Sequence, residues 1–138
     1  LIEAVRNYFL TYPGISEGDA ALHVDFLGVD GENYTIEPVP SDPVYRRYTD
    51  GGCLRQYLFV FASRECYSPD VEQCVENQAF YEDFGRWIYS QNRAGILPEP
   101  GGHIRPVSIE VLTGGYVFSE DAETARYQMQ LRYIYEEV

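Results

Sequence analysis

His23 and His103 are the two histidines of the chain, and with Cys53, Cys66 and Cys74 they are the side chains best suited to bind a metal or drive nucleophilic chemistry. A zinc site needs two to four such ligands at short spacing. Here the histidines lie far apart and the cysteines lack CxxC spacing, so no metal site is expected. Cys66 with either histidine has the residue types of a nucleophile and its base, but cysteine more commonly serves as a small buried hydrophobe. Asp19, Asp25, Glu32 and Glu37 fall on or near one expected hairpin, where two carboxylates could share acid–base work. Dispersed carboxylates in so acidic a chain more often form a solvated face. The pairs Gly51-Gly52, Gly101-Gly102 and Gly114-Gly115 match neither GxGxxG nor a P-loop and read as turn residues. These patterns yield no catalytic, cofactor-binding or metal-ligating residue, and the expectation is a protein that is not an enzyme.

Composition narrows the field further. The 138 residues carry 22 acids against 10 bases, a net charge of -12, and every base is arginine. Without lysine there is no Walker-type phosphate lysine and no Schiff-base or general-base lysine. A surface so acidic repels a phosphate backbone, so specific nucleic-acid binding is not expected. Three cysteines, an odd number, suit free thiols in a reducing compartment better than a disulfide framework. No apolar run approaches the roughly 18 residues of a membrane span, and no leader-like segment opens the sequence, so the chain is expected to be soluble and unexported.

The elements that must position these residues are legible from periodicity. In LIEAVRNYFLTYPG, Ile2, Val5, Phe9 and Tyr12 recur at helical spacing until Pro13-Gly14 stops them. ALHVDFLGVDGENYTIEPVP alternates on both sides of Asp30-Gly31, which predicts a tight hairpin with Leu22, Val24 and Phe26 on one face. Pro38, Pro40 and Pro43 remove backbone donors in succession, so that stretch belongs at a sheet edge or in a loop. After the turn signal Asp50-Gly51-Gly52, LRQYLFVFAS is apolar without a break from Tyr57 to Ala62 and reads as a central strand buried on both faces.

Ser68 and Pro69 then open a long helix that Gly95 closes. Val71, Cys74, Val75, Gln78, Tyr81, Phe84 and Ile88 fall on its inner stripe. Val107, Ile109 and Val111 share a strand face, and a turn is expected at Gly114-Gly115. In the closing ARYQMQLRYIY, Ala125, Tyr127, Met129, Leu131, Tyr133 and Tyr135 alternate with Arg126, Gln128, Gln130 and Arg132. At roughly 3.3 Å per residue this strand would run about 36 Å, long enough to need covering or continuing. The fold predicted is one α+β domain over 1–138, a mainly antiparallel β-sheet with a short N-terminal helix and a long central helix on one face.

Aromatic content stands out, with 13 tyrosines, seven phenylalanines and one tryptophan. Tyrosine, apolar with a polar tip, suits protein interfaces. The long last strand and the proline-rich edge offer surfaces to a neighbour.

The combination of LIEAVRNYFLTYPG, YTIEPVP, YRRYTDGGCLRQYLFVFASRE, NQAFYEDFGRWI and TARYQMQLRYIY resembles short tail proteins of phages and prophages of Gram-positive bacteria. That group is similar in size and element order to tail-terminator and head-tail joining proteins, also called minor tail or minor capsid proteins. The resemblance implies a homo-oligomeric ring that meets tail-tube and head-connector proteins, in the virion and, during assembly, in the host cytoplasm. It covers nearly the whole chain but rests on strand and helix patterns, not on a catalytic motif.

Some members of the group carry a chloramphenicol-resistance label. The acetyltransferase so evoked needs an HHxxxDG motif, whereas His23 and His103 are followed here by Val24 and Ile104. An acyltransferase is therefore the weakest of the readings, behind a small-molecule or peptide-binding module with an aromatic pocket. In a ring around a DNA path, surplus acids would line the lumen while arginines pair with acids or lie at subunit contacts.

Overall fold

The computed structural model describes residues 1–13, 22–24, 33–47, 53–66, 71–120 and 124–137, with the side-chain surroundings given for all of these except 22–24, 33, 64–66, 71–78, 115–120 and 124–125. Helix α1 (Ile2–Phe9) leads into strands β1 (Leu22–Val24), β2 (Asn33–Pro38), β3 (Val44–Arg47) and β4 (Cys53–Cys66). Helix α2 (Val71–Ala94) and strands β5 (Ile104–Glu120) and β6 (Thr124–Glu137) follow. The six strands form one sheet in the order β1-β2-β4-β6-β5, with β3 also paired to β4. The architecture is α+β and mostly antiparallel.

The core face expected of the last strand is realised from Tyr127 to Tyr135; Ala125 lies outside the described side chains, and Gln128, expected on the water-facing side, is buried. Tyr127, Met129, Leu131, Tyr133 and Tyr135 are buried together with Phe59 and Phe61 of β4 and Tyr34 and Ile36 of β2. Both helices close over this face. Phe9 of α1 meets Phe59, Phe61 and Phe84 at ring separations of 5.8, 5.4 and 5.0 Å, and Phe84 stacks on Phe61 at 4.8 Å. The α2 stripe contributes Tyr81, Phe84 and Ile88. Its expected members Val71, Cys74, Val75 and Gln78 lie outside the described side chains, so the packing seen is that of residues 79–94.

Buried polar groups are tied in where the core requires it. The Tyr81 hydroxyl pairs with Ser63 Oγ at 2.5 Å and donates to the Tyr127 carbonyl. Gly95, at φ 74, ends α2 in a Schellman turn: its N–H donates to the Asn92 carbonyl and the Ile96 N–H to the Gln91 carbonyl. Positive φ costs glycine little, which is why the helix stops there. The segment that follows is held by two tyrosines, Tyr8 donating to the Ile96 carbonyl and Tyr133 to the Pro98 carbonyl.

β4 is the central strand, with Phe59 and Phe61 buried on the helical face and Val60 and Ala62 on the other. The proline segment lies at the margin, as its missing donors require: β2 ends at Pro38, residues 39–43 are irregular, and β3 pairs only with the start of β4.

Two turn assignments are corrected. β1 pairs with β2 in parallel, Leu22 opposite Tyr34, so the two strands are not the arms of the expected hairpin; Asp30-Gly31 lies outside the described residues. Alternation looks the same whichever way a strand runs, and the dipeptide states only a local preference. Nor does the chain reverse at Gly114-Gly115. β5 continues through to Glu120 with register shifts on either side of that pair, and Gly114 has no positive φ. The glycines belong to a bulge, the other use of glycine within a strand. Ile109 and Val111 share the core face as expected, whereas the shift between Pro106 and Ser108 separates Val107 from them. Ile109 is buried, Val111 half-buried and Val107 exposed.

Candidate interaction surface

The histidines and cysteines do not converge. Register places Cys66 opposite Thr124, at one end of β6, whereas His103 precedes Ile104, which lies opposite Glu137 at the other end. At about 3.3 Å per residue the two are roughly 40 Å apart. His23 pairs with Thr35, and Thr35 with Ala62, which leaves it two strands and four residues from Cys66, on the order of 15 Å. Neither distance permits a nucleophile–base pair. Cys53 is a half-buried free thiol. His103 is exposed beside Gly101, Ile104 and Glu137. Among the described residues no group of three His, Cys, Asp or Glu side chains could hold a metal ion.

Of the four acids considered for acid–base work, Asp19, Asp25 and Glu32 lie outside the described residues. Glu37 is bound to Arg126. That pair is one of several crossing between strands: Arg132 holds Glu110 at 2.8 Å, Arg105 holds Glu136, and Arg55 lies 3.2 Å from Glu137. Arg132 also lies over the Tyr45 ring at 4.7 Å. Carboxylates so engaged act as cross-strand pairs, a stabilising arrangement in sheets.

The tyrosines serve the core first. Tyr8, Tyr34, Tyr81, Tyr127, Tyr133 and Tyr135 are buried, and only Tyr45 and Tyr89 are exposed among those whose surroundings are described. Burial raises the pKa of the Tyr8 and Tyr133 hydroxyls far above that of free tyrosine, and raises those of Tyr12 and Tyr135 as well.

Of the seven large apolar residues exposed among the described ones, Leu1 and Ile96 stand apart and five fall at two margins of the sheet. Val39 and Tyr45 are exposed on the segment of residues 38–47, called the arm below. Tyr89, Val107 and Leu112 are exposed where α2 runs beside β5. Between α2 and β5 lies an open groove of about 550 Å³, lined on the helix by Glu82, Gly85, Arg86, Tyr89 and Asn92 and on the strand by Ile109 to Val111. Single exposed apolar residues are ordinary; here several fall on strand edges, where unpaired backbone groups are also found.

Asn92, which sequence reasoning missed, organises this groove. Its Oδ1 accepts from the Ile109 N–H at 2.9 Å and its Nδ2 donates to the Ile109 carbonyl, with a second bond to the Ile88 carbonyl at 3.2 Å. One side chain thus gives the outer edge of β5 the donor and acceptor that a neighbouring strand would give. The signal was present in the sequence: Asn92 continues the Phe84–Ile88 stripe at helical spacing, a polar residue where an apolar one belongs.

No family model matches the chain, and no curated protein is significantly similar to it. Among the described residues no helix is long and apolar enough to cross a membrane.

Proposed function

We propose that the chain is a non-enzymatic structural component of a phage or prophage tail, a tail-terminator or head-tail joining protein that acts as a homo-oligomeric ring. The observation that carries this reading is the placement of exposed apolar residues on two opposite margins of one sheet, the arm on one and β5 on the other. A subunit with two different sticky margins associates head to tail, and head-to-tail contacts close into a ring when the rotation from one subunit to the next completes a circle. The sequence resemblance supplies the tail context, with tail-tube and head-connector proteins as neighbours in the virion.

Electron microscopy of tails from the encoding phage, with the gene intact and deleted, tests the reading. Expected are a ring of this chain at the head-proximal end of intact tails and a failure to join heads when it is missing. Absence of the chain from purified virions, with normal joining in the deletion, overturns it.

A second reading is favoured by the groove itself, whose volume and partly apolar lining fit a small molecule or a peptide. In that case the chain is a binding module that remains monomeric, and ligand binding is blocked by filling the groove at Gly85.

A further inference from the structure

We infer that the arm of one copy docks into the α2–β5 groove of the next, through Arg46 and Arg47 on the arm and Glu82 and Val111 in the groove. This rests on the reading of the chain as a self-associating subunit and names the contact by which it would associate.

The first argument is strand direction. At the end of the sheet where β3 lies, the order is β3-β4-β6-β5 and every neighbouring pair is antiparallel. With four alternating strands, β3 and β5 run in opposite directions. A second copy in the same orientation therefore presents its β3 antiparallel to β5, and the alternation passes unbroken from subunit to subunit.

The second argument is backbone chemistry. The Ile109 N–H and carbonyl face away from β6, since they bond Asn92. Register is regular from Ser108 to Val111, so Val111 repeats that orientation and turns its own N–H and carbonyl toward the groove. On β5, the Asn92 bonds among the described residues go to Ile109. The register shift after Val111 makes this open edge short, and β3 is itself shifted between Val44 and Arg46. Side chains must then supply most of the contact, and unlimited edge-to-edge growth is disfavoured.

The third argument is charge. Arg86 holds Asp83, Arg93 lies over Tyr89, and Arg55, Arg105, Arg126 and Arg132 hold acids on the sheet. Arg46 and Arg47 are exposed and, among the described residues, have no such partner. In a chain of net charge -12 these two adjacent bases are a local exception. Glu82 in the groove is an exposed acid likewise without a described partner. The occupant that fits is a second copy of this chain.

The test uses three variants and sedimentation velocity over a concentration series, with circular dichroism to establish that each variant is folded. Arg46→Glu with Arg47→Glu reverses the arm and Gly85→Leu fills the groove. A Cβ at Gly85 meets nothing within 4 Å, so the side chain has room to enter the groove, and circular dichroism establishes that the variant folds. Each variant alone should remain monomeric, with the dissociation constant of the contact raised at least about tenfold. An equimolar mixture of the two should form a dimer and nothing larger, because it pairs one intact groove with one intact arm. Glu82→Arg should restore assembly to the arm-reversed chain.

Wild-type assembly that both variants share unchanged overturns the arm–groove contact and leaves the ring reading standing, to be judged by the electron microscopy of tails. A wild-type chain that stays monomeric at every concentration overturns the contact outright.

Discussion

Replacing Asn92 by alanine separates α2 from the edge of β5, and the cost can be worked out from its bonds. The Ile109 N–H and carbonyl each lose a partner, and Ile109 is fully buried, so water replaces those bonds poorly. A neutral hydrogen bond contributes about 0.5–1.5 kcal/mol net, and a buried group left unpaired costs about 1–3 kcal/mol. The Asn92 Nδ2 bond to the Ile88 carbonyl is a minor loss, because that carbonyl keeps its helical partner. The expected destabilisation is about 2–4 kcal/mol, read as a shift of the urea midpoint at unchanged slope. Asn92→Asp refines the test: it keeps the acceptor for the Ile109 N–H but sets a negative charge against the Ile88 and Ile109 carbonyls. That carboxyl would be held above its unfolded pKa. Its neutral form is therefore favoured in the folded state, and the stability of the variant should recover as pH falls toward the unfolded value of about 3.9 and decline as pH rises. Hydrogen exchange at the Ile109 amide reports the same loss locally. A midpoint shift for Asn92→Ala worth less than about 0.5 kcal/mol, the range of surface substitutions, would show that the edge of β5 is held by other means.

Leu131, fully buried in β6 under α2, should cost about 2–5 kcal/mol when truncated to alanine, as core leucines do; equilibrium unfolding measures it, and a surface-sized effect contradicts its placement. The buried tyrosines predict alkaline unfolding. Their folded pKa values are raised, so their contribution is whole below about pH 10, the unfolded value, and is lost as pH climbs above it. Tyr133→Phe should weaken that dependence and itself cost about 1 kcal/mol through the orphaned Pro98 carbonyl, which a pH series of denaturation midpoints resolves. Finally, the chain should not retain double-stranded DNA at low salt, since -12 repels phosphates; tight, salt-sensitive binding in a filter assay contradicts an acidic wall around a DNA path.

The parts of the fold legible in the sequence are those where one physical rule acts alone. In β6, period two picks out the core face, Tyr127 to Tyr135, but not the whole of burial, because Gln128 and Ile134 on the other face are buried as well. In β4, an unbroken apolar run marks burial on both faces, and the three prolines place the arm at the margin because proline cannot donate to a ladder. The errors fall where one residue type serves two structures. Asp-Gly suits a hairpin, yet β1 and β2 run parallel; Gly-Gly suits a turn, yet it sits in a bulge of β5. The partners that decide such cases are distant in sequence. Tyr8 was passed over beside the helical series Val5–Phe9–Tyr12, and its role in reaching the Ile96 carbonyl depends on how α2 ends.

The tyrosine count illustrates how composition misleads until burial is known. Read as a whole it suggested an interface, but most of the described tyrosines fill the core, where the hydroxyls of Tyr8 and Tyr133 tie down the Ile96 and Pro98 carbonyls outside helix and sheet, and that of Tyr81 bonds Ser63 and the Tyr127 carbonyl. That use explains why tyrosine rather than phenylalanine occupies those positions: a buried carbonyl without a donor costs more than the hydroxyl does once it is bonded. Only after those rings are set aside do Tyr45 and Tyr89 stand out, on opposite margins of the sheet, each beside arginine. The same sorting applies to charge. Arg46 and Arg47 on β3 are exposed with no acid partner among the described residues, and they lie on the edge whose strand direction allows the next copy's β5 to continue the sheet. Exposed aromatics, unpaired bases and strand direction are independent properties of the chain, and their coincidence on two edges makes head-to-tail association a stronger account than a pocket alone.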